Sequence, residues 1–128
     1  MLVVLVLLGL GITYVVAFGL PFSSSKPAGP VSLPLGQFTT NLNDPQISHY
    51  IQVSITLEVR QKSDADLLNA DGPEVRNGIL AILRNQTYDE TLQSAGMERI
   101  GKELTASLDH ILGHPDVEKV YFTDFLVQ

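Results

Sequence analysis

The side chains best suited to chemistry in this 128-residue chain are three histidines and a run of carboxylates, and their spacing decides what they can do. His110 and His114 stand four apart, the interval that places two metal ligands on one helix face. Gly113 and Pro115 stop a helix there, so His114 falls beyond its last turn. The pair reads as histidines near a helix C-terminus, where positive charge is favoured. Asp64, Asp66, Asn69, Asp71 and Gly72 imitate a calcium loop, but the fifth position, which must offer an oxygen, is Leu68, and no glutamate fills the twelfth. That stretch reads as a solvated acidic turn before a helix. Asn85-Gln86-Thr87 is a glycosylation triplet, meaningful only in a eukaryotic secretory cell. No Gly-x-Ser-x-Gly elbow, phosphate loop or dinucleotide fingerprint occurs, and the lack of cysteine removes disulfides, thiolate metal sites and thiol nucleophiles. The sequence offers no catalytic residue, no cofactor site and no metal ligand set, and it reads as a non-enzyme.

Charge narrows the partners. Lys26 is the first charged residue, so everything after it carries the whole formal net charge of -6. A surface of that sign repels phosphate backbones and anionic headgroups, which argues against nucleic acid and leaves proteins as the expected partners.

The elements that would position these residues begin with an apolar segment. Met1 to Phe22 holds no charge, and only Thr13 and Tyr14 carry a polar side-chain group. At 1.5 Å per residue, about 20 such residues match a hydrocarbon core of about 30 Å, so residues 1–22 are expected to form one transmembrane helix. A cleaved signal would have a shorter apolar core behind a basic start. The positive-inside rule cannot orient a helix with no lysine or arginine before it, which suggests that a short basic tail precedes Met1 in the gene. An in-frame stop directly upstream would refute this. Gly9, Thr13 and Ala17 recur at intervals of four, a small-residue face on which a second helix could pack.

Residues 23–34, rich in serine, proline and glycine, read as a semi-extended tether, and residues 35–128 as the folded domain. Leu35 to Leu42 is a short candidate strand. Ile51, Val53, Ile55, Leu57 and Val59 alternate with Gln52, Ser54, Thr56, Glu58 and Arg60, the period of a half-buried strand. Gly72 and Pro73 open a helix with Val75, Ile79, Ile82 and Leu83 on one face and Glu74, Arg76 and Arg84 outside. Ser94 is the expected N-cap of a second, with Met97, Ile100, Leu104, Leu108 and Ile111 inside and Gly113 at its end. In Val117 to Val127, Val117, Tyr121, Phe125 and Val127 alternate with Val120, Phe122 and Leu126, as in a strand covered on both faces, in mid-sheet or against a partner. The fold class is α+β, with two main helices on a small sheet.

From Leu35 onward the chain resembles FliL, the flagellar basal-body-associated family of bacteria. The resemblance rests on Asn41-Leu42, on Tyr50 to Glu58, on Pro73-Glu74-Val75-Arg76-Asn77-Gly78-Ile79-Leu80, and on Thr87, Leu92, Gly96 and Leu104. The terminal Val120-Tyr121-Phe122-Thr123-Asp124-Phe125-Leu126-Val127-Gln128 is its most specific part. The family's basic tail before the anchor is missing, and Ala95 stands where an acidic residue is frequent.

This resemblance implies a stomatin- or prohibitin-like domain outside the cytoplasmic membrane, held by a single-pass helix. It also implies a homo-oligomeric ring around the stator proteins MotA and MotB, among other basal-body components, that supports torque and motility. Arg76 and Arg84 on the exposed helix face, and Tyr121, Phe122 and Phe125 in the last strand, are the interaction candidates beside Gly9, Thr13 and Ala17. The rival reading is a membrane-tethered sensor or solute-binding module, which requires a concave pocket with converging polar groups.

Overall fold

The computed structural model describes residues 2–9, 12–19 and 29–128, the first two stretches by backbone alone. The main sheet has the order β3-β4-β5, all antiparallel, from Val31–Asn41 (β3), Tyr50–Val59 (β4) and Val117–Val127 (β5). Its centre is the strand with the clearest alternation. Ile51, Val53, Ile55, Leu57 and Val59 of β4 are all fully buried, whereas the residues between them are only half-buried. Hydrogen bonding on both edges and burial on one face together fix this register, since a one-residue slip would turn the whole apolar row to solvent.

Four helices cover that buried face: Lys62–Ala70 (α1), Gly72–Arg84 (α2), Tyr88–Leu92 (α3) and Ser94–Leu112 (α4). Val75, Ile79 and Leu83 of α2 and Ile100, Leu104 and Leu108 of α4 are the residues they bury, at the expected spacings of three and four. They form one core with Phe38, Leu68 and the β4 row. Ile82, Met97 and Ile111 are only partly buried at its margin. α4 stops as its sequence requires, with Gly113 left-handed at φ 82° and its N–H bonded to the Asp109 and His110 carbonyls.

The structure departs from the sequence reading at several places within the domain, beginning with α4, whose N-cap is Gln93 rather than Ser94 and makes no side-chain cap bond. The acidic stretch after Gln61 is not a solvated turn but helix α1, which buries Asp64, Ala65 and Leu68. The second unexpected helix, α3, is one short turn held by a capping box: the Thr87 hydroxyl accepts from Glu90 N–H while the Glu90 carboxylate accepts from Thr87 N–H. β3 starts at Val31, inside the expected tether, because Val31 and Leu33 already alternate with exposed Ser32 and Pro34. Proline is tolerated there, since β3 is an edge strand and the register shifts between Pro34 and Gly36.

Residues 20–28, which include the first half of the expected tether, lie outside the described residues. Over residues 1–22, where one helix is expected, Leu2–Gly9 (β1) and Ile12–Gly19 (β2) instead pair antiparallel. No helix among the described residues is long and apolar enough to cross a membrane. The β-branched Val3, Val4, Val6, Ile12, Val15 and Val16 favour extended backbone where no bilayer demands otherwise. Gly9, Thr13 and Ala17 stand opposite Ile12, Leu8 and Val4 in this ribbon, and their side chains lie outside the described residues.

Candidate functional site

β5 is an edge strand rather than a central one, and this corrects the expectation that both its faces are covered. Two bulges explain the error. Glu118 is extra between the pairs Val59↔Val117 and Glu58↔Lys119, and Asp124 with Phe125 stands opposite the single Val53 between Ser54↔Thr123 and Gln52↔Leu126. Each bulge moves the side chains that follow it to the other face. Val117, Val120, Phe122 and Val127 therefore all pack on the core despite their irregular spacing. Asp124 takes the positive φ of 49° that the second bulge demands, a region asparagine and aspartate enter more readily than most residues.

The three aromatic candidates consequently part company. Phe122 is half-buried against the core. Tyr121 lies on the opposite face, 42% exposed, with its hydroxyl donating to Glu58 Oε2 at 2.7 Å and Lys119 Nζ 5.6 Å from its ring centroid. The bond to Glu58 pushes its hydroxyl pKa above the ordinary value, because the phenol must give up the proton that the carboxylate accepts. Phe125 at the bulge is 40% exposed, and Leu126, which stands beside the Tyr121 face, is 41% exposed. Among the described residues, Tyr121, Phe125 and Leu126 are the large apolar side chains that stand exposed on the main sheet, beside the unpaired edge of β5.

The two arginines differ as well. Arg76 is exposed yet engaged: its guanidinium lies 4.3 Å from the Phe38 ring centroid and donates to the Gln37 carbonyl, tying α2 to β3. Arg84, in the last turn of α2, makes no ion pair among the described residues and lines a shallow groove with Asn43, Asn85 and Glu103. Arg84 is thus the surface charge, and Arg76 a packing group.

The histidines are not brought together. His110 is exposed on α4. His49 Nδ1 lies 3.1 Å from Asp44 Oδ2, and its ring stacks on Tyr88 at 4.3 Å. Asp44 also accepts the Tyr88 N–H, so this cluster clips the β3–β4 loop to α3. His114 Nε2 sits 2.7 Å from Oδ2 of buried Asp64, fifty residues earlier. That hydrogen bond, and then the charge of Asp64, hold the imidazole pKa above its ordinary value. Sequence spacing carried no sign of this pair. The glycosylation triplet also has a local job: Gln86 is buried and bonded to Ile82 O and Arg99, and Thr87 caps α3. No hydroxyl is hydrogen-bonded to a histidine among the described residues.

With this geometry in place, known proteins add the context. Residues 32–128 match the family model described as flagellar basal body-associated protein FliL. The chain is similar to a flagellar protein FliL of Aquifex aeolicus (strain VF5), 33% identical over 91 residues that cover 71% of this chain and 56% of that protein. It is also similar to a flagellar protein FliL of Bacillus subtilis (strain 168), 29% identical over 97 residues that cover 76% of this chain and 67% of that one. The match thus spans little more than half the length of the Aquifex relative. Because the family model runs without a break from β3 through the bulged terminal strand, the chain belongs to the FliL family of flagellar basal body-associated proteins.

Proposed function

We propose that this protein is a membrane-anchored, non-enzymatic accessory part of the bacterial flagellar motor. In this reading it forms a homo-oligomeric ring around the MotA and MotB stator units and supports torque and motility. The observation that carries it is family membership over the whole folded domain. The domain also has what such a part needs. Among the described residues both outer edges of its sheet, on β3 and β5, are unpaired, and β5 adds exposed Tyr121, Phe125 and Leu126. A heterologous ring uses two different patches on each subunit, so one changed patch weakens every contact.

In this reading residues 1–22 cross the cytoplasmic membrane as one helix, and the stomatin- or prohibitin-like domain lies outside. A two-stranded ribbon would leave rows of unpaired N–H and C=O groups in hydrocarbon, whereas a helix satisfies them internally. Gly9, Thr13 and Ala17 then form one face toward a neighbouring helix. The solute-binding alternative needs an enclosed pocket, whereas the cleft lined by Leu35, Phe38, Leu68, Val75 and Arg76 holds about 240 Å³ and the larger depression at Asn43, Arg84, Asn85 and Glu103, about 460 Å³, is a shallow groove open to solvent.

The test is Arg84→Glu combined with Leu126→Glu in the chromosomal gene. The expected result is smaller cross-linked oligomers and slower swimming at unchanged protein level. Oligomers and swimming indistinguishable from wild type would remove the support for the ring.

A further inference from the structure

The turn between α4 and β5 meets the junction between β4 and α1, and three potential ligands converge there. Asp64 comes from the first turn of α1, and His114 and Asp116 from the turn. One ligand atom from each, a carboxylate oxygen or an imidazole nitrogen, lies within 4.8 Å of the other two. Both carboxylates are buried, with only 4% of Asp64 and 2% of Asp116 exposed, while His114 opens to solvent. Each carboxylate has one oxygen engaged: Asp64 Oδ2 faces His114 Nε2 at 2.7 Å, and Asp116 Oδ2 accepts Gln61 N–H at 2.9 Å. The second oxygen of each has no protein donor among the described residues and is open to solvent, since no buried side-chain oxygen there is left without a partner.

Two carboxylates at this depth are costly unless positive charge stands between them. A single imidazolium supplies one charge against two, and a divalent cation supplies both. The backbone already holds the ligands. Asp109 Oδ1 accepts the N–H groups of Asp116 and Val117, each at 2.9 Å, and Arg60 N–H donates to the Asp116 carbonyl at 3.0 Å. Such fixing of a ligand by its neighbours is what metal sites require. One imidazole nitrogen with two carboxylates suits zinc, with water in the fourth position of a tetrahedron.

We propose that Asp64, His114 and Asp116 form a binding site for one divalent metal ion of the zinc class, which clips α1 to the turn that launches β5. Binding replaces the proton on His114 Nε2 with the metal and leaves both carboxylates ionised.

The test is titration of ZnCl2 into the full chain, purified in detergent and stripped with EDTA, read by isothermal calorimetry near neutral pH. One equivalent should bind with micromolar affinity or better. His114→Gln, which changes a solvent-facing side chain, should weaken it by ~10-fold or more with an unchanged circular dichroism spectrum. Asp64→Asn should do the same, and His110→Gln and His49→Gln should leave binding intact. Absence of a stoichiometric site would overturn the proposal. So would a His114→Gln chain that binds like wild type, or a His110→Gln or His49→Gln chain that does not bind.

Discussion

Gly96 and Gly101 both lie in α4, yet replacing each with alanine should shift stability in opposite directions. A Cβ on Gly96 would stand 1.9 Å from the Glu90 carbonyl oxygen and 2.8 Å from its carbon, both backbone atoms of α3. To reach ordinary contact, α3 must retreat by more than 1 Å. Overpacking of this kind costs about 1–3 kcal/mol. The movement also pulls on the capping box and on the 3.3 Å contact between Arg99 and Glu90, while the gain in helix propensity is at most ~1 kcal/mol. The net loss should be about 1–3 kcal/mol, or about 4–24 °C in Tm for a domain of this size. At Gly101 the new Cβ meets Phe122 Cε2 at 3.7 Å, an ordinary contact, so Gly101→Ala should be neutral or stabilising by up to ~1 kcal/mol. Thermal unfolding of both variants and wild type, followed by far-ultraviolet circular dichroism in one detergent, measures the contrast. A Gly96→Ala chain as stable as wild type, or a Gly101→Ala chain that falls as far as Gly96→Ala, would refute the close-approach argument.

Thr87→Ala removes the α3 cap and should cost about 0.5–2 kcal/mol in urea unfolding. Glu90 accepts the Thr87 N–H, which holds its carboxyl below the ordinary value of 4.5. Its stabilising effect is complete above the unfolded-state pKa and disappears as pH falls through the lower folded-state value, so Glu90→Gln should flatten stability measured across that acid range. Ile55→Ala, a cavity in the central strand, should cost about 2–5 kcal/mol and leave the charge pattern untouched. Arg76→Ala should lose ~0.5–2 kcal/mol through the Phe38 stack and the Gln37 bond, whereas Arg84→Ala should lie within ~0.5 kcal/mol of wild type.

What the sequence revealed about the fold follows from how each element is stabilised. β4, α2 and α4 were legible because a single periodicity runs through each, and the punctuation of α4 at Gly113 was met. β3 was cut short because Pro34 hides the alternation of Val31 and Leu33. α1 was missed because its buried face includes a carboxylate, Asp64, whose partner His114 is remote in sequence. α3 could have been found, since Thr87-x-x-Glu90 is a capping-box pattern. β5 was recognised as a strand but misassigned by face, because two bulges change its parity and alternation alone cannot register an inserted residue. For the candidate surface, the sequence singled out Tyr121 and Phe125 but set them on a covered face with Val117 and Val127, and the structure leaves both exposed. The internal role of Arg76 was not, because it depends on a ring and a carbonyl in another element.

The central claim is that this domain serves the flagellar motor, and the most direct measurement is swimming in soft agar after clean deletion of the gene. A smaller swim halo, restored by the chain expressed in trans, is the predicted result. A deletion strain that spreads as fast as its parent would contradict it.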